Sequence, residues 1–313
     1  MLDDTSQSGA SWRCSETQNV LRVVQMTQSP EEAARLHVPA GHFYSPIIDL
    51  QDLMARRDQV WPQNPVDPPG VDFNGASHID LLTNVFPTFM PDYQYPEVLD
   101  ESADLTQFFT RNSQFSWLDA RALFVLLRHW RPRRVIEVGS GFSTLLMADV
   151  NRRFLDGASE ITAIEPYPRD FLSTERLGLK DVVVKKVQDV PLAFFDQLQA
   201  GDLLFIDSSH VSKTGSDVNH LFLEVLPRLK SGVRIHVHDV FYPNDYLQDW
   251  VLGEGRSWNE QYMLQCFLAF NSAFRVIFGC NYAFTRHFEL VRSALAHPNG
   301  AAFSGGSFYL ERV

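Results

Sequence analysis

Five short clusters hold the residues whose types and spacing could do chemistry: Glu137-Val-Gly-Ser-Gly141, Glu165-Pro166, Gln188-Asp189, Asp207-Ser-Ser-His210 and His238-Asp239. Gly139 and Gly141 lack a Cβ, so the backbone there can turn sharply and come close to a ligand. A helix opening just after them would aim free N–H groups at that ligand. A G-x-G-x-x-G match is a weak sign on its own, and here Thr144 replaces the third glycine. Glu137 discriminates. A carboxylate two places before the first glycine would repel a pyrophosphate, and it suits a nucleoside cofactor bearing an ammonium or a sulfonium. Glu165 follows at the distance, about 20 residues beyond the glycines, at which an acid grips ribose hydroxyls through its acceptor oxygens. Pro166 could pack on the base. Either Gln188 or Asp189 could accept from an adenine amino group, and the residues alone do not choose between them. His210 titrates near neutrality and could take a proton from a hydroxyl acceptor. The Asp239 carboxylate is the other candidate base.

The elements that must position these clusters follow from periodicity. From Arg134 onward, apolar runs alternate with helical patterns: strands at 135–138, 161–164, 182–187, 203–206 and 233–237, helices at 143–153, 168–177, 193–199 and 216–229. Near-continuous apolar strands are those of a parallel sheet covered on both faces. The plan is doubly wound α/β, Rossmann-like, and its ligands sit at the carboxyl ends of the strands, where the clusters fall. His236 and His238, two apart, point to one side of their strand. Ahead of this domain, 131–313, the chain reads as a polar tail over 1–19 and a helical extension or lid over 20–130, with a Pro-rich connector at 61–69 and breaks at Pro87 and Pro91. A helix is expected over 118–130, ending before Pro132.

Val135-Ile-Glu-Val-Gly-Ser-Gly-Phe-Ser-Thr144 resembles motif I of the class I S-adenosylmethionine-dependent methyltransferases, E/D-x-G-x-G-x-G, with Ser143 at the third glycine position. Asn112-Ser-Gln-Phe-Ser-Trp-Leu-Asp119, Phe205-Ile-Asp-Ser-Ser-His210, His236-Val-His-Asp239 and the upstream Gly41-His-Phe-Tyr-Ser-Pro46 are similar to a bacterial small-molecule branch with F-I-D-x-x-H and H-D motifs. The resemblance covers residues 105–313. It implies a mainly parallel seven-stranded sheet whose last strand is antiparallel, with the reversed pair at 274–278 and 307–311. It also implies S-adenosylmethionine as cofactor, held by Glu137, Gly139, Ser140, Gly141, Ser143, Glu165, Pro166, Gln188, Asp189, Asp207 and Ser208. In related metal-dependent enzymes, acids at the positions of Asp207, His238 and Asp239 hold a divalent cation. Here His238 replaces a carboxylate, which weakens a magnesium site and would suit manganese, iron or zinc better. A divalent metal is therefore possible but not favoured, and an acid–histidine network is the expected use.

Tyr44, Asn112, Phe115, His238, Tyr242 and Trp258 are the candidate acceptor residues, and Asn259 could cap the helix that Trp258 introduces. The expected reaction is O-methylation of a sugar or secondary metabolite. One alternative uses or cyclises the cofactor's aminocarboxypropyl chain and releases methylthioadenosine. Another is an NAD-dependent oxidoreductase, against which Glu137 argues. The formal charge of −11 argues against a nucleic-acid backbone as main partner. No apolar run is long enough for a membrane span, and no signal peptide is visible. Cys14, Cys266 and Cys280 form no disulfide or metal pattern, which fits a cytoplasmic protein. A homodimer is possible through the helical N-terminal arm.

Overall fold

The computed structural model describes residues 37–99, 105–295 and 304–313; the expected tail over 1–19 and the start of the extension lie outside them. The chain divides into two compact units: residues up to Gln63 with Leu247–Ser257, and Asn64–Tyr246 with Trp258–Val313. The described part of the first unit holds two short α-helices, Leu50–Ala55 and Arg57–Val60, the former capped by the Asp49 side chain, and a π-helical turn, Asp249–Gly253.

The second unit contains a seven-stranded sheet. Its strands are β1 (Arg134–Val138), β2 (Glu160–Ile164), β3 (Asp181–Val183), β4 (Leu203–Ile206), β5 (Arg234–Val237), β6 (Phe274–Gly279) and β7 (Phe308–Arg312), in the order β3-β2-β1-β4-β5-β7-β6. Strands β1 to β5 pair in parallel; β7 runs antiparallel to both β5 and β6. This is the mainly parallel, Rossmann-like sheet with a reversed last strand that the resemblance implied. Apolar side chains cover both faces. One core gathers Leu118–Leu127 with Leu145 and Leu203; the other gathers Ile136, Leu204 and Ile235 with Leu221, Val225 and Leu264.

Several expectations change at the boundaries. Strand β3 ends at Val183, because 184–186 turn away, with Lys185 N–H bonded to the Val183 carbonyl at 2.9 Å. The helix expected over 168–177 is confined to Thr174–Leu177, and that over 193–199 is a 3-10 helix, Leu192–Gln197. The stretch 75–92 stays helical through both prolines. Pro87 and Pro91 are each the second residue of a short segment, Phe86–Phe89 and Met90–Asp92, where the helix type changes along the stretch. Helix α1 (Gly75–Asp80) begins that stretch, and helix α2 (Trp117–Trp130) follows an irregular segment, so 76–130 is less helical than periodicity suggests. Residues 64–130 belong to the same compact unit as the sheet, since the apolar face of α2 is wholly inside its core. The outer strand β6 carries a bulge at Val276/Phe278. Beside it, α1 and its cap supply side chains: Asn74 and Ser77 donate to the Val276 and Ile277 carbonyls, and His78 Nε2 accepts from Gly279 N–H.

Candidate active site

Strand β1 lies between β2 and β4, so the connections leaving β1 and β4 part at the carboxyl end of the sheet, where such folds open a crevice. A cavity of about 450 Å³ lies there, lined by Gly139, Glu165, Pro166, Gln188, Asp207 and Ser208 among others. That is the size of a small-molecule site.

Gly139 shapes its floor. It sits at φ +78°, and a Cβ built on it would fall 2.0 Å from the Asp207 carbonyl oxygen, so only glycine fits. Gly141 differs: its φ of 176° is ordinary extended backbone, and its N–H donates to Thr144 Oγ1 at 3.0 Å. Thr144 thus caps the start of helix α3 (Phe142–Phe154). Glu137 is wholly buried behind the turn, accepting from Ser143 Oγ and Thr144 Oγ1 at 2.6 Å each. Burial pushes its carboxyl up to about 8, against the pull of those two hydroxyls. Glu137 and Ser143 therefore brace the turn and do not line the cleft, unlike the direct contact expected of them. Ser140 N–H donates to Glu165 Oε2 at 3.1 Å, and Tyr167 N–H to Glu165 Oε1 at 2.8 Å, which fixes that carboxylate at the cleft wall. Of the two residues left open after β3, Gln188 lines the cleft and Asp189 is exposed. The Gln188 Oε1 is buried without a partner.

Beyond Asp207 lies a cluster of acids and imidazoles. His210 Nε2 is 3.4 Å from Asp207 Oδ1 and 3.3 Å from Asp239 Oδ2, while His210 Nδ1 meets Glu260 Oε2 at 2.8 Å. His238 Nδ1 is 3.5 Å from both Asp207 Oδ1 and Asp239 Oδ1, and its Nε2 is 3.6 Å from Asp119 Oδ2. Burial alone would lower the two histidines; the surrounding carboxylates outweigh it, raising His210 to about 10 and His238 well above its usual range. Burial would raise Asp207, but His238 and His210 hold it well below the usual carboxylate range; burial wins at Asp239, which is raised. His210 and Asp239 both sit in left-handed backbone, at φ +61° and +58°, a region in which Asp and His are found more often than most non-glycine residues. His236 shares its side of β5 with His238, as expected, stacked on Phe205 with centroids 3.7 Å apart.

Asp207, His238 and Asp239 offer ligand atoms within 4.8 Å of one another, a spacing and donor set that fit a divalent cation. The His210 ring lies against the same two carboxylates and competes for them. Among the acceptor candidates, Phe115 packs on His238 at 5.3 Å and Trp258 on His210 at 4.3 Å, so both border the centre. Asn112 does not: its amide bonds the Phe109 and Phe115 carbonyls and the Gln114 and Phe115 N–H groups of its own loop. Tyr242 is core, packed against Phe73 and Phe308. Tyr44 lies in the first unit, exposed and against Phe43. Asn259 gives no side-chain cap to helix α4 (Glu260–Leu268); it pairs with the Ser212 backbone instead.

Two residues of the centre escaped the sequence reading. Asp119, in the first turn of α2, accepts from Gly306 and Ser307 N–H at 3.0 and 2.6 Å. The same contact requires glycine at 305, since a Cβ there would fall 2.4 Å from Asp119 Oδ1. Glu260 is the other. Acids are favoured at helix starts in general, so nothing in their local sequence marks either residue.

Residues 136–240, from β1 to just past Asp239, match the family model of a methyltransferase domain. Fold and cleft thus belong to a protein with a methyltransferase domain. The chain belongs to one family with an uncharacterized protein of Archaeoglobus fulgidus, 34% identical over 164 residues that span 51% of this chain and 73% of that protein. Solved structures it resembles include one described as "cmcI-D160 Mg-SAM" (13% identity, TM-score 0.38, 84% of this chain and 96% of that one). Others are coclaurine N-methyltransferase bound to N-methylheliamine and SAH (10%, TM-score 0.36, 84% and 93%) and a putative protein-L-isoaspartate O-methyltransferase of Plasmodium falciparum with S-adenosyl-L-homocysteine (14%, TM-score 0.29, 60% and 81%). None of these three likenesses bears on the chemistry of the site. Among the described residues, no helix is long and apolar enough to cross a membrane.

Proposed function

We propose that the chain transfers a methyl group from S-adenosylmethionine to a hydroxyl of a small molecule, a sugar or a secondary metabolite. The observation that carries this reading is the double position of Asp207. It lines the nucleoside-sized cleft, and the same carboxylate touches His210 and His238 of the buried centre. The methyltransferase-domain match over the same residues supports it. In the cleft, Glu165 offers acceptor oxygens to a ribose, and the orphaned Gln188 Oε1 offers one to an adenine amino group. The ionised Asp207 complements a sulfonium at the inner end.

The chemistry asked of the protein is mainly placement. Holding the methyl carbon and the acceptor oxygen about 3 Å apart and in line supplies much of the acceleration. The C–S bond breaks as the C–O bond forms, the sulfur leaves neutral in S-adenosylhomocysteine, and the hydroxyl proton goes to a carboxylate oxygen. Asp239 suits that role better than His210, which already carries a proton at neutral pH. Asp207, His238 and Asp239 are the residues that would hold a divalent cation, whose contribution would be to polarise the acceptor oxygen.

Incubation with methyl-labelled S-adenosylmethionine and a low-molecular-mass cell extract, followed by mass spectrometry, tests the reading. The expected products are S-adenosylhomocysteine and a labelled metabolite. Methylthioadenosine in their place would refute methyl transfer in favour of chemistry on the aminocarboxypropyl chain.

A further inference from the structure

Glu260 opens helix α4 and is 1% exposed, yet it lies at the centre of charge chemistry. Its Oε2 is 2.8 Å from His210 Nδ1, and its Oε1 accepts from Ser208 Oγ at 2.9 Å. The backbone repeats the contact: Asn259 and Glu260 N–H donate to the His210 carbonyl at 3.0 and 3.2 Å. One step out, the Asn259 side chain closes on both backbone groups of Ser212, at 2.5 and 3.3 Å. The loop after β4 is therefore tied to the start of α4 by side chain and main chain together. An imidazole bonded at Nδ1 to a fixed carboxylate has one orientation, and its other nitrogen has one direction to face.

We infer that Glu260 is a positioning residue for the reaction: it locks the His210 ring so that Nε2 faces the Asp207 and Asp239 carboxylates, 3.4 and 3.3 Å away. The inference rests on reading this centre as the methyl-transfer site. Without Glu260 the ring can turn, and the two carboxylates meet the acceptor with no fixed donor between them. Trp258, two residues before Glu260, lies tilted against the His210 ring, with centroids 4.3 Å apart, and holds the ring's face but not its rotation.

Wild type, Glu260→Gln and Glu260→Ala test the lock. Glutamine keeps an acceptor for Nδ1–H and an amide that can meet the Ser208 hydroxyl; alanine keeps neither. Proton NMR with 15N-labelled histidine should show a far-downfield Nδ1-bound proton in the wild type, absent in His210→Gln, kept in Glu260→Gln and lost in Glu260→Ala. Release of S-adenosylhomocysteine in the low-molecular-mass extract should fall by roughly tenfold or more in Glu260→Ala and return to within about threefold in Glu260→Gln. Calorimetric affinity for S-adenosylhomocysteine should stay within about twofold in both. A folded Glu260→Ala with wild-type turnover overturns the inference, as does a wild type without the downfield proton. Parallel loss of turnover and cofactor affinity also overturns it, by making the role structural. If Glu260→Ala does not fold, Glu260→Asp, whose carboxylate stops one methylene short, takes its place with the same expected losses. A wild type that turns over nothing would fail the methyl-transfer reading alone, because the ring signature still decides the lock.

Discussion

At Gly139 the backbone and its neighbour leave room for one hydrogen and nothing more. Gly139→Ala puts a carbon 2.0 Å from the Asp207 carbonyl oxygen in left-handed backbone. It is expected to cost about 2–5 kcal/mol, read as a lower urea midpoint, and to lose S-adenosylhomocysteine binding in calorimetry. Glu137 gives a prediction with a pH sign. Its folded value is raised from 4.5 to about 8. At pH 4 both folded and unfolded chains hold the proton. As pH rises from 4.5 toward 8, the unfolded chain releases its proton while the folded chain keeps it, so folding loses stability across that window. Glu137→Gln removes the titration. Its urea stability relative to wild type should therefore rise from pH 4 to pH 8 by a few kcal/mol, about 1.4 for each pH unit of the window; a difference that does not change with pH would refute this account. The discriminating acid of the sequence is legible as a residue, but its place is not. Burial and the two hydroxyls that occupy it are properties of the packed turn.

On the level of elements, the strands were legible because each is a short apolar run, and the clusters were found because a parallel sheet presents its ligands after its strands. What was illegible comes from elements that enter the centre from far along the chain. Asp119 on α2 holds the Gly306 and Ser307 N–H groups across 187 and 188 residues, and nothing local marks such a contact. Two consequences are measurable. Asp119→Ala strands two buried N–H groups and leaves His238 Nε2 without its acid, which should destabilise by about 2–4 kcal/mol in urea denaturation. Gly305→Ala, pushed against the Asp119 carboxylate, should destabilise as well, by about 1–3 kcal/mol. Equal stability of Gly305→Ala and wild type would show that the β7 entrance does not depend on Asp119.

Taken whole, the second unit is a sheet with its functional groups gathered at one end, and ligand binding should be felt by all of it. At a concentration of about 100 Kd, S-adenosylhomocysteine is expected to stabilise the chain by about 2.7 kcal/mol, visible as a rise in Tm, with no rise on adding NAD. A shift with NAD and none with S-adenosylhomocysteine would overturn the cofactor assignment. One lateral edge of the sheet has a different consequence. Strand β6 is outermost, and an outermost strand normally offers its free polar groups to any extended chain nearby. Here the Val276 and Ile277 carbonyls and the Gly279 N–H are already answered by Asn74, Ser77 and His78. A stray strand arriving from another molecule finds those sites taken and the ladder bent by the bulge, so this edge of the sheet has a built-in stop against growing sideways into aggregates.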